Sequence, residues 1–172
     1  ANWTQNIINL DASVDQFVDG PDIDGDGTRE MFAATCDARL QQLHVDAISG
    51  ATGKILWGGV KEIATESTFN GFRVLALQWW QSGSDGWPQL VVSVSDARHW
   101  TGGEAKFSAV AFSAGTGAVT TVGSDLIEIQ ALDLDHDGVE ELLVCSGPLS
   151  ESGGKASFHC IRGIARQPWK RL

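Results

Sequence analysis

Two acidic segments of this chain repeat one pattern, and this repetition constrains the fold more than any other feature. Segments 22–30 and 133–141 each have aspartates at positions 1, 3 and 5, a glycine at position 6 and a glutamate at position 9. Each then runs into an apolar stretch. Alternating carboxylates repel one another unless a cation lies between them, and the glycine permits the sharp turn that brings them together. The pattern predicts two metal-binding loops, each followed by a β-strand.

The ligand types in these segments indicate calcium. A backbone carbonyl at position 7 and the acid at position 9 would complete a shell made only of oxygen atoms. Such a flexible shell suits calcium better than magnesium or zinc. The alternative is a solvated turn in which Asp and Gly only favour tight backbone geometry. Because the same crowding of carboxylates occurs twice in one chain, we favour two calcium sites.

The composition and charge exclude several classes of protein. The chain has 172 residues, enough for one domain with its own core, and a formal net charge of −10. A nucleic-acid-binding surface needs clustered Lys and Arg, whereas the 12 basic residues of this chain are scattered. No apolar run of the sequence approaches the ~20 residues that a membrane-spanning helix needs. We therefore expect no nucleic-acid partner and no membrane span.

The loop type and the cysteines bear on localisation. Loops without the bidentate Glu of an EF-hand bind calcium weakly, and millimolar calcium is found outside cells. The first residue is Ala1, which fits a processed product or a segment of a longer chain. We therefore predict an extracellular, cell-surface or periplasmic protein, in which the sequon at Asn2 is an acceptor only where glycosylation exists. Three cysteines cannot all pair within one chain, so we expect small buried hydrophobic residues at Cys36, Cys145 and Cys160.

The chain also repeats on a larger scale. Alignment on the loop glycines Gly27, Gly86 and Gly138 divides it into three units. In each unit, short runs of alternating polar and apolar residues separated by turn clusters predict four strands and no helix. Four strands in roughly 50 residues are typical of a β-propeller blade. We predict an all-β protein of about three four-stranded antiparallel blades, a partial propeller or one completed by another copy. Its single repeat domain covers 1–172, with blades at approximately 13–60, 71–123 and 125–172 and a spare outer strand at 1–12.

These repeats resemble the FG-GAP/VCBS-type family, the calcium-binding repeats of integrin-α-type propellers and related bacterial surface proteins. The resemblance rests on the two D-x-D-x-D-G-x-x-E loops and on the strands that follow them. A second element, Gly50-Ala-Thr-Gly-Lys-Ile-Leu-Trp57, is similar to the turn and outer strand of quinoprotein-type propeller repeats. It implies a blade but no quinone cofactor. The resemblance also implies that each acidic loop joins the innermost strand of a blade to the second strand.

The resemblance further implies a ligand set for two Ca²⁺ ions. The expected ligands are Asp22, Asp24, Asp26, Glu30 and the carbonyl of Thr28 in the first loop, and Asp133, Asp135, Asp137, Glu141 and the carbonyl of Val139 in the second. The middle repeat departs from this set, because Gln81, Gly83 and Gln89 replace three of the acids and only Asp85 remains. One carboxylate cannot hold a hard dication, so we expect no metal there. The middle loop is also predicted to be about three residues longer than the others.

No arrangement of residues indicates catalysis. The four histidines, His44, His99, His136 and His159, share no metal-ligand spacing. Neither a nucleophile with its base nor a pair of catalytic carboxylates can be recognised, so we predict that the protein is not an enzyme. A cluster of tryptophans around the middle repeat has two interpretations, a sugar-stacking surface or packing between blades, and we favour packing. This cluster consists of Trp79, Trp80, Trp87 and Trp100.

The leading hypothesis is a non-enzymatic, calcium-binding module, secreted or at the cell surface, for adhesion to a protein or glycan partner or for subunit assembly. Three blades cannot bury all their faces, so the spare strand would complete a neighbouring subunit in a closed ring or an open filament. Two alternatives remain open. One is a lectin that uses the Trp79–Trp100 region, and the other is a non-catalytic fragment of a larger propeller enzyme.

Overall fold

The fold is all-β in the part of the chain that the structure describes. The computed structural model describes residues 16–37, 39–63, 73–81, 86–96, 106–137, 139–146 and 157–162. The ten strands are β1 (Gln16–Asp19), β2 (Met31–Asp37), β3 (Gln42–Ile48), β4 (Ile55–Glu62), β5 (Arg73–Trp80), β6 (Gln89–Asp96), β7 (Lys106–Ser113), β8 (Val119–Leu132), β9 (Glu141–Ser146) and β10 (Ser157–Arg162). The all-β prediction is confirmed for these residues, which include no helix able to cross a membrane.

The strands form two antiparallel sheets in chain order. The first sheet has the order β1-β2-β3-β4, and the second is a six-stranded ladder that runs from β5 to β10. Within each sheet, every strand therefore pairs with its neighbour in sequence, as in the meander of a propeller blade. The first sheet covers residues 16–62 and extends two residues past the range 13–60 predicted for the first blade, and the residues of that blade before 16 lie outside the description.

Strand β8 belongs to two repeats at once. Residues 119–126 pair with β7, whereas residues 126–132 pair with β9. The register shifts in both ladders close to Leu126, and such irregularities bend a strand and increase its twist. The chain therefore passes from the second repeat to the third without a turn. The boundary that we expected near residues 123–125 lies inside this continuous strand.

The core consists of two apolar layers on opposite faces of the middle repeat. Alternate residues of a strand point to opposite faces, and β6 shows this clearly. Leu90, Val92 and Val94 pack against β2 and β3 of the first sheet in a layer that includes Phe32, whereas Val91 faces the third repeat. The second layer contains Trp80, Val91, Ala109, Ala111, Leu126, Leu142 and Val144. The repeats therefore stack face to face, and the described residues do not show a closed ring.

The first strands of successive repeats lie side by side, and side chains rather than a backbone ladder connect them. The side-chain amide of Gln16 in β1 donates to the carbonyl of Leu75 in β5 at 2.8 Å. The side-chain amide of Gln78 in β5 donates to the carbonyl of Ile129 in β8 at 3.4 Å. Because the acidic loops follow β1 and β8, this arrangement places both loops beside the end of β5.

The expectation for the cysteines is partly wrong. Cys36 and Cys145 are buried, as predicted, but Cys160 is exposed. Cys160 lies on β10, which has a strand partner on one side only among the described residues. Edge strands of this kind leave side chains in contact with solvent that a central strand would bury.

Candidate metal centres

The first acidic loop joins β1 to β2 and is held by hydrogen bonds within the loop. The backbone N–H groups of Gly25 and Gly27 donate to the two carboxylate oxygens of Asp22, at 2.7 Å and 2.9 Å. Both glycines have positive φ angles, 79° and 86°, which residues with a side chain rarely adopt. The resulting turn brings ligand atoms of Asp22, Asp24 and Glu30 within 4.8 Å of one another. This acidic triad can hold a metal ion.

Asp26 lies outside this triad and supports the turn. Its Oδ1 accepts the N–H of Thr28 at 2.8 Å, and its own N–H donates to Asp24 at 3.1 Å. Asp137 has the same place in the second loop, where its Oδ1 accepts the N–H of Val139 at 2.9 Å. Ligation by Asp26 and Asp137, and by the carbonyls of Thr28 and Val139, stays a prediction.

Glu30 connects the first loop to the β3–β4 turn. Its side chain is only 1% exposed. Oε1 accepts the N–H groups of Ile23 at 2.9 Å and Asp24 at 3.5 Å, and Oε2 accepts the N–H of Gly50 at 3.1 Å. A Cβ atom on Gly50 would lie 2.0 Å from the carbonyl oxygen of Arg29. Only glycine therefore lets the β3–β4 turn approach the first loop this closely. The sequence element that ends at Trp57 does not by itself reveal this requirement.

The second acidic loop joins β8 to β9 and repeats this geometry. Ligand atoms of Asp133, Asp135 and Glu141 lie within 4.8 Å of one another and form a second triad that can hold a metal ion. The N–H of Asp137 donates to Oδ1 of Asp135 at 3.3 Å. His136 stands at the fourth position, where the first loop has a glycine, and its φ of 59° is left-handed. Histidine tolerates this conformation better than most residues, so the second loop can make the same kind of turn as the first.

Glu141 supplies an observation that does not depend on the sequence pattern. Its side chain is 4% exposed, and Oε2 accepts the N–H of Leu134 at 2.9 Å. The other oxygen, Oε1, is buried and has no hydrogen-bond partner among the described residues. A buried carboxylate oxygen without a partner is costly in free energy. A cation bound with Asp133 and Asp135 would provide that partner, so the residues present fit a divalent ion with oxygen ligands.

In the middle repeat, the glycine of the loop keeps its conformation, although three of the four acids are absent from the sequence. Gly86 has a φ of 85°, close to the value of Gly27. Gln81 and Gln89 stand at either end of the loop, and residues 82–85 lie outside the description. Among the described residues, the groups of side chains that could hold a metal ion are these two triads. The expected extra length is wrong, because the loop at 81–88 has the same length as that at 133–140 between β8 and β9.

The described tryptophans pack between the repeats. The indole N–H of Trp57 donates to the carbonyl of Ala114 at 2.8 Å. Trp79 makes an edge-to-face contact with Phe32, with ring centroids 4.9 Å apart. Trp57, Trp79 and Trp87 contact the first apolar layer, and Trp80 belongs to the second. The packing interpretation is therefore confirmed for these residues, whereas Trp3, Trp100 and Trp169 lie outside the description.

A polar pair, His44 and Asp46, lies on β3. Asp46 is 8% exposed, and its Oδ2 has no hydrogen-bond partner in the described part of the chain. Burial raises the pKa of Asp46 above its ordinary value, although the charge of nearby His44 acts in the opposite direction. The signal for this pair was weak, because His44 and Asp46 alternate with Leu43 and Val45 as polar residues do on any strand.

The raised pKa of Asp46 predicts how its replacement depends on pH. Its contribution to stability is fully present below the unfolded pKa of about 3.9 and is lost as the pH rises through the higher folded pKa. We expect Asp46→Asn to stabilise the protein progressively more, relative to wild type, as the pH rises from 4 to 7. Denaturant unfolding at several pH values measures this difference. A difference between Asp46→Asn and wild type that does not change with pH would contradict the prediction.

Comparisons with known proteins identify no relative. No protein-family model matches the chain, no characterised protein matches it, and no solved structure matches it. The kind of site that these loops form is therefore inferred from their geometry. They are two acidic loops, each between the first and second strands of a repeat, and each carries a triad that can hold a metal ion.

Proposed function

We propose that this protein is a non-enzymatic, calcium-binding module of FG-GAP/VCBS-type β-propeller repeats that acts outside the cell, at its surface or in the periplasm. The observation that carries the proposal is the buried, unpaired Oε1 of Glu141 beside two aspartates. A cation bound by this triad would provide the partner that Oε1 of Glu141 lacks, an argument that the sequence pattern alone does not offer. The same triad occurs in the first loop at the equivalent place.

Calcium is the ion that this ligand set fits best. All the grouped ligand atoms are carboxylate oxygens, which hard cations prefer over the nitrogen and sulfur ligands that are common at zinc sites. Magnesium requires near-ideal octahedral geometry and retains several waters, whereas calcium accepts irregular shells of 6–8 oxygens. Loops whose acids come from flexible turn residues suit the less demanding ion.

The proposed role of calcium is to hold the scaffold for contact with a partner. An ion at each loop neutralises the crowded carboxylates and fixes the connection between the first two strands of a repeat. The module would then present rigid loops to a protein or glycan partner, or to another copy in a ring or filament. Sugar stacking on Trp79 is the less supported form of this role, because its ring packs on Phe32 and its N–H bonds Asp19.

Calorimetry with and without calcium tests the ion proposal. Each site should add about 2.7 kcal/mol when free calcium is 100 times the Kd. For a domain of this size, that corresponds to a rise in Tm of about 5–10 °C per site. Glu62→Gln, which removes an exposed charge outside the loops, should keep the full rise. Superimposable transitions in calcium and in chelator would overturn the proposal.

The assembly part of the proposal needs a separate measurement. Light scattering of the calcium-loaded protein over a range of concentrations reports whether copies associate. A ring would give one defined mass and an open filament a mass that grows with concentration. A stable calcium-loaded monomer would remove self-assembly and leave a protein or glycan partner as the role.

A further inference from the structure

Two adjacent tryptophans end the first strand of the middle repeat and point to opposite faces of its sheet. Trp79 contacts the apolar layer between the first and second repeats, whereas Trp80 lies in the layer toward the third repeat. Consecutive residues of a strand project to opposite faces, so a pair at this place reaches both neighbouring repeats. Both tryptophans belong to the middle repeat, whose own loop retains only one of the four acids, Asp85.

Each indole N–H holds the backbone beside one acidic loop. Trp79 donates to the carbonyl of Asp19, the last residue of β1, at 2.8 Å. Trp80 donates to the carbonyl of Glu140 at 3.1 Å. Asp19 stands just before the first acidic loop, and Glu140 directly precedes the triad member Glu141. The two contacts are therefore made at the base of the first loop and at the last acid of the second.

The backbone that leads into the first loop is in close contact with two side chains, those of Trp79 and Arg29. A Cβ atom on Gly20 would lie 2.6 Å from the Trp79 ring, so the indole lies directly against the main chain. The side chain of Arg29 donates from Nε to the carbonyl of Gly20 at 3.0 Å and forms an ion pair with Asp19. Trp79 and Arg29 together fix the residues that lead into the loop.

We propose that Trp79 and Trp80 are positioning residues, one for each metal loop, supplied by the metal-free middle repeat. The inference rests on the proposed binding of ions at both loops. Each N–H fixes a backbone carbonyl next to ligands, so its removal lets those ligands move away from the geometry that the ion needs. A typical intramolecular hydrogen bond contributes about 0.5–1.5 kcal/mol, so its loss weakens ion binding about three- to ten-fold at that loop.

Calcium titration calorimetry on Trp79→Phe and Trp80→Phe tests this assignment, because phenylalanine keeps an aromatic ring and lacks the N–H. Asp135→Asn is added to observe the first loop alone, and Asp24→Asn to observe the second loop alone. We expect Trp79→Phe to weaken calcium at the first loop about three- to ten-fold and to leave the second within two-fold. Trp80→Phe should give the opposite pattern.

Trp57→Phe is the matched control, since its indole N–H bonds the carbonyl of Ala114, which belongs to neither acidic loop. It should lower the ion-free Tm as the other two variants do and leave both calcium affinities within two-fold. If Trp79→Phe and Trp80→Phe lower both affinities equally, or lower neither, the residues serve packing alone and the inference is overturned. If the wild-type protein binds no calcium, this inference and the proposed function both fail.

Discussion

Replacing Glu30 by alanine is expected to lower the free energy of unfolding of the ion-free protein by about 3–4 kcal/mol. The side chain is 1% exposed and accepts the N–H groups of Ile23, Asp24 and Gly50. Without it these three part-buried hydrogen bonds are lost, at about 0.5–1.5 kcal/mol each. The loop also loses its connection to the β3–β4 turn. Denaturant unfolding in the presence of a chelator measures the effect.

Glu141→Ala is the matched control, because it removes the same side chain at the same position of the other loop. Among the described residues, Glu141 accepts the N–H of Leu134 and carries a buried oxygen without a partner. Its removal also eliminates that unpaired buried oxygen, so the ion-free protein should lose only about 1 kcal/mol. In calcium, this variant should lose the rise in Tm that the second loop provides. Equal losses for the two alanine variants without an ion would contradict the distinction between the loops.

Gly50→Ala is expected to lower the free energy of unfolding by about 2–4 kcal/mol. The new Cβ would lie 2.0 Å from the carbonyl oxygen of Arg29, a backbone atom that cannot rotate away as a side chain can. Relief requires the β3–β4 turn to move from the first loop, which lengthens the 3.1 Å hydrogen bond from Gly50 to Glu30. Calcium binding at the first loop should weaken as well. Chemical denaturation and calcium titration measure the two effects.

Gly123→Ala separates this steric effect from the general effect of replacing glycine. The atoms nearest to a Cβ on Gly123 would be those of the Leu126 side chain, at 3.2 Å or more. Leu126 can adjust at low cost, so we expect a change of less than about 1 kcal/mol. A loss for Gly50→Ala no greater than that for Gly123→Ala would show that the turn does not need its close approach to the loop.

The strand pattern and the acidic triads could be predicted from the sequence because both depend on local rules. Alternation of polar and apolar residues specifies which face of a strand is buried, and β3 follows it, with Leu43, Val45 and Ala47 in the first apolar layer. The spacing of acids around a glycine specifies a turn, and Asp22, Asp24 and Glu30 meet as that spacing implies. Neither rule requires knowledge of what lies across the fold.

What could not be predicted depends on contacts between distant residues. The sequence of β8 contains Gly123-Ser-Asp, which reads as a turn, yet pairing with both β7 and β9 holds it as strand. Glu30 reads as a metal ligand, and its backbone hydrogen bonds include one to Gly50, twenty residues away. The adjacent indoles of Trp79 and Trp80 read as one cluster, whereas their N–H groups bond carbonyls of two different repeats.

The continuous strand β8 means that the boundary between the second and third sequence repeats is not a boundary in the folded structure. A gene segment that ends near residue 124 would separate residues 119–126 from 126–132 and divide a strand that two ladders share. Duplication or deletion of the third repeat alone would therefore damage the second. An exchange that leaves every strand intact must therefore move the second and third repeats together.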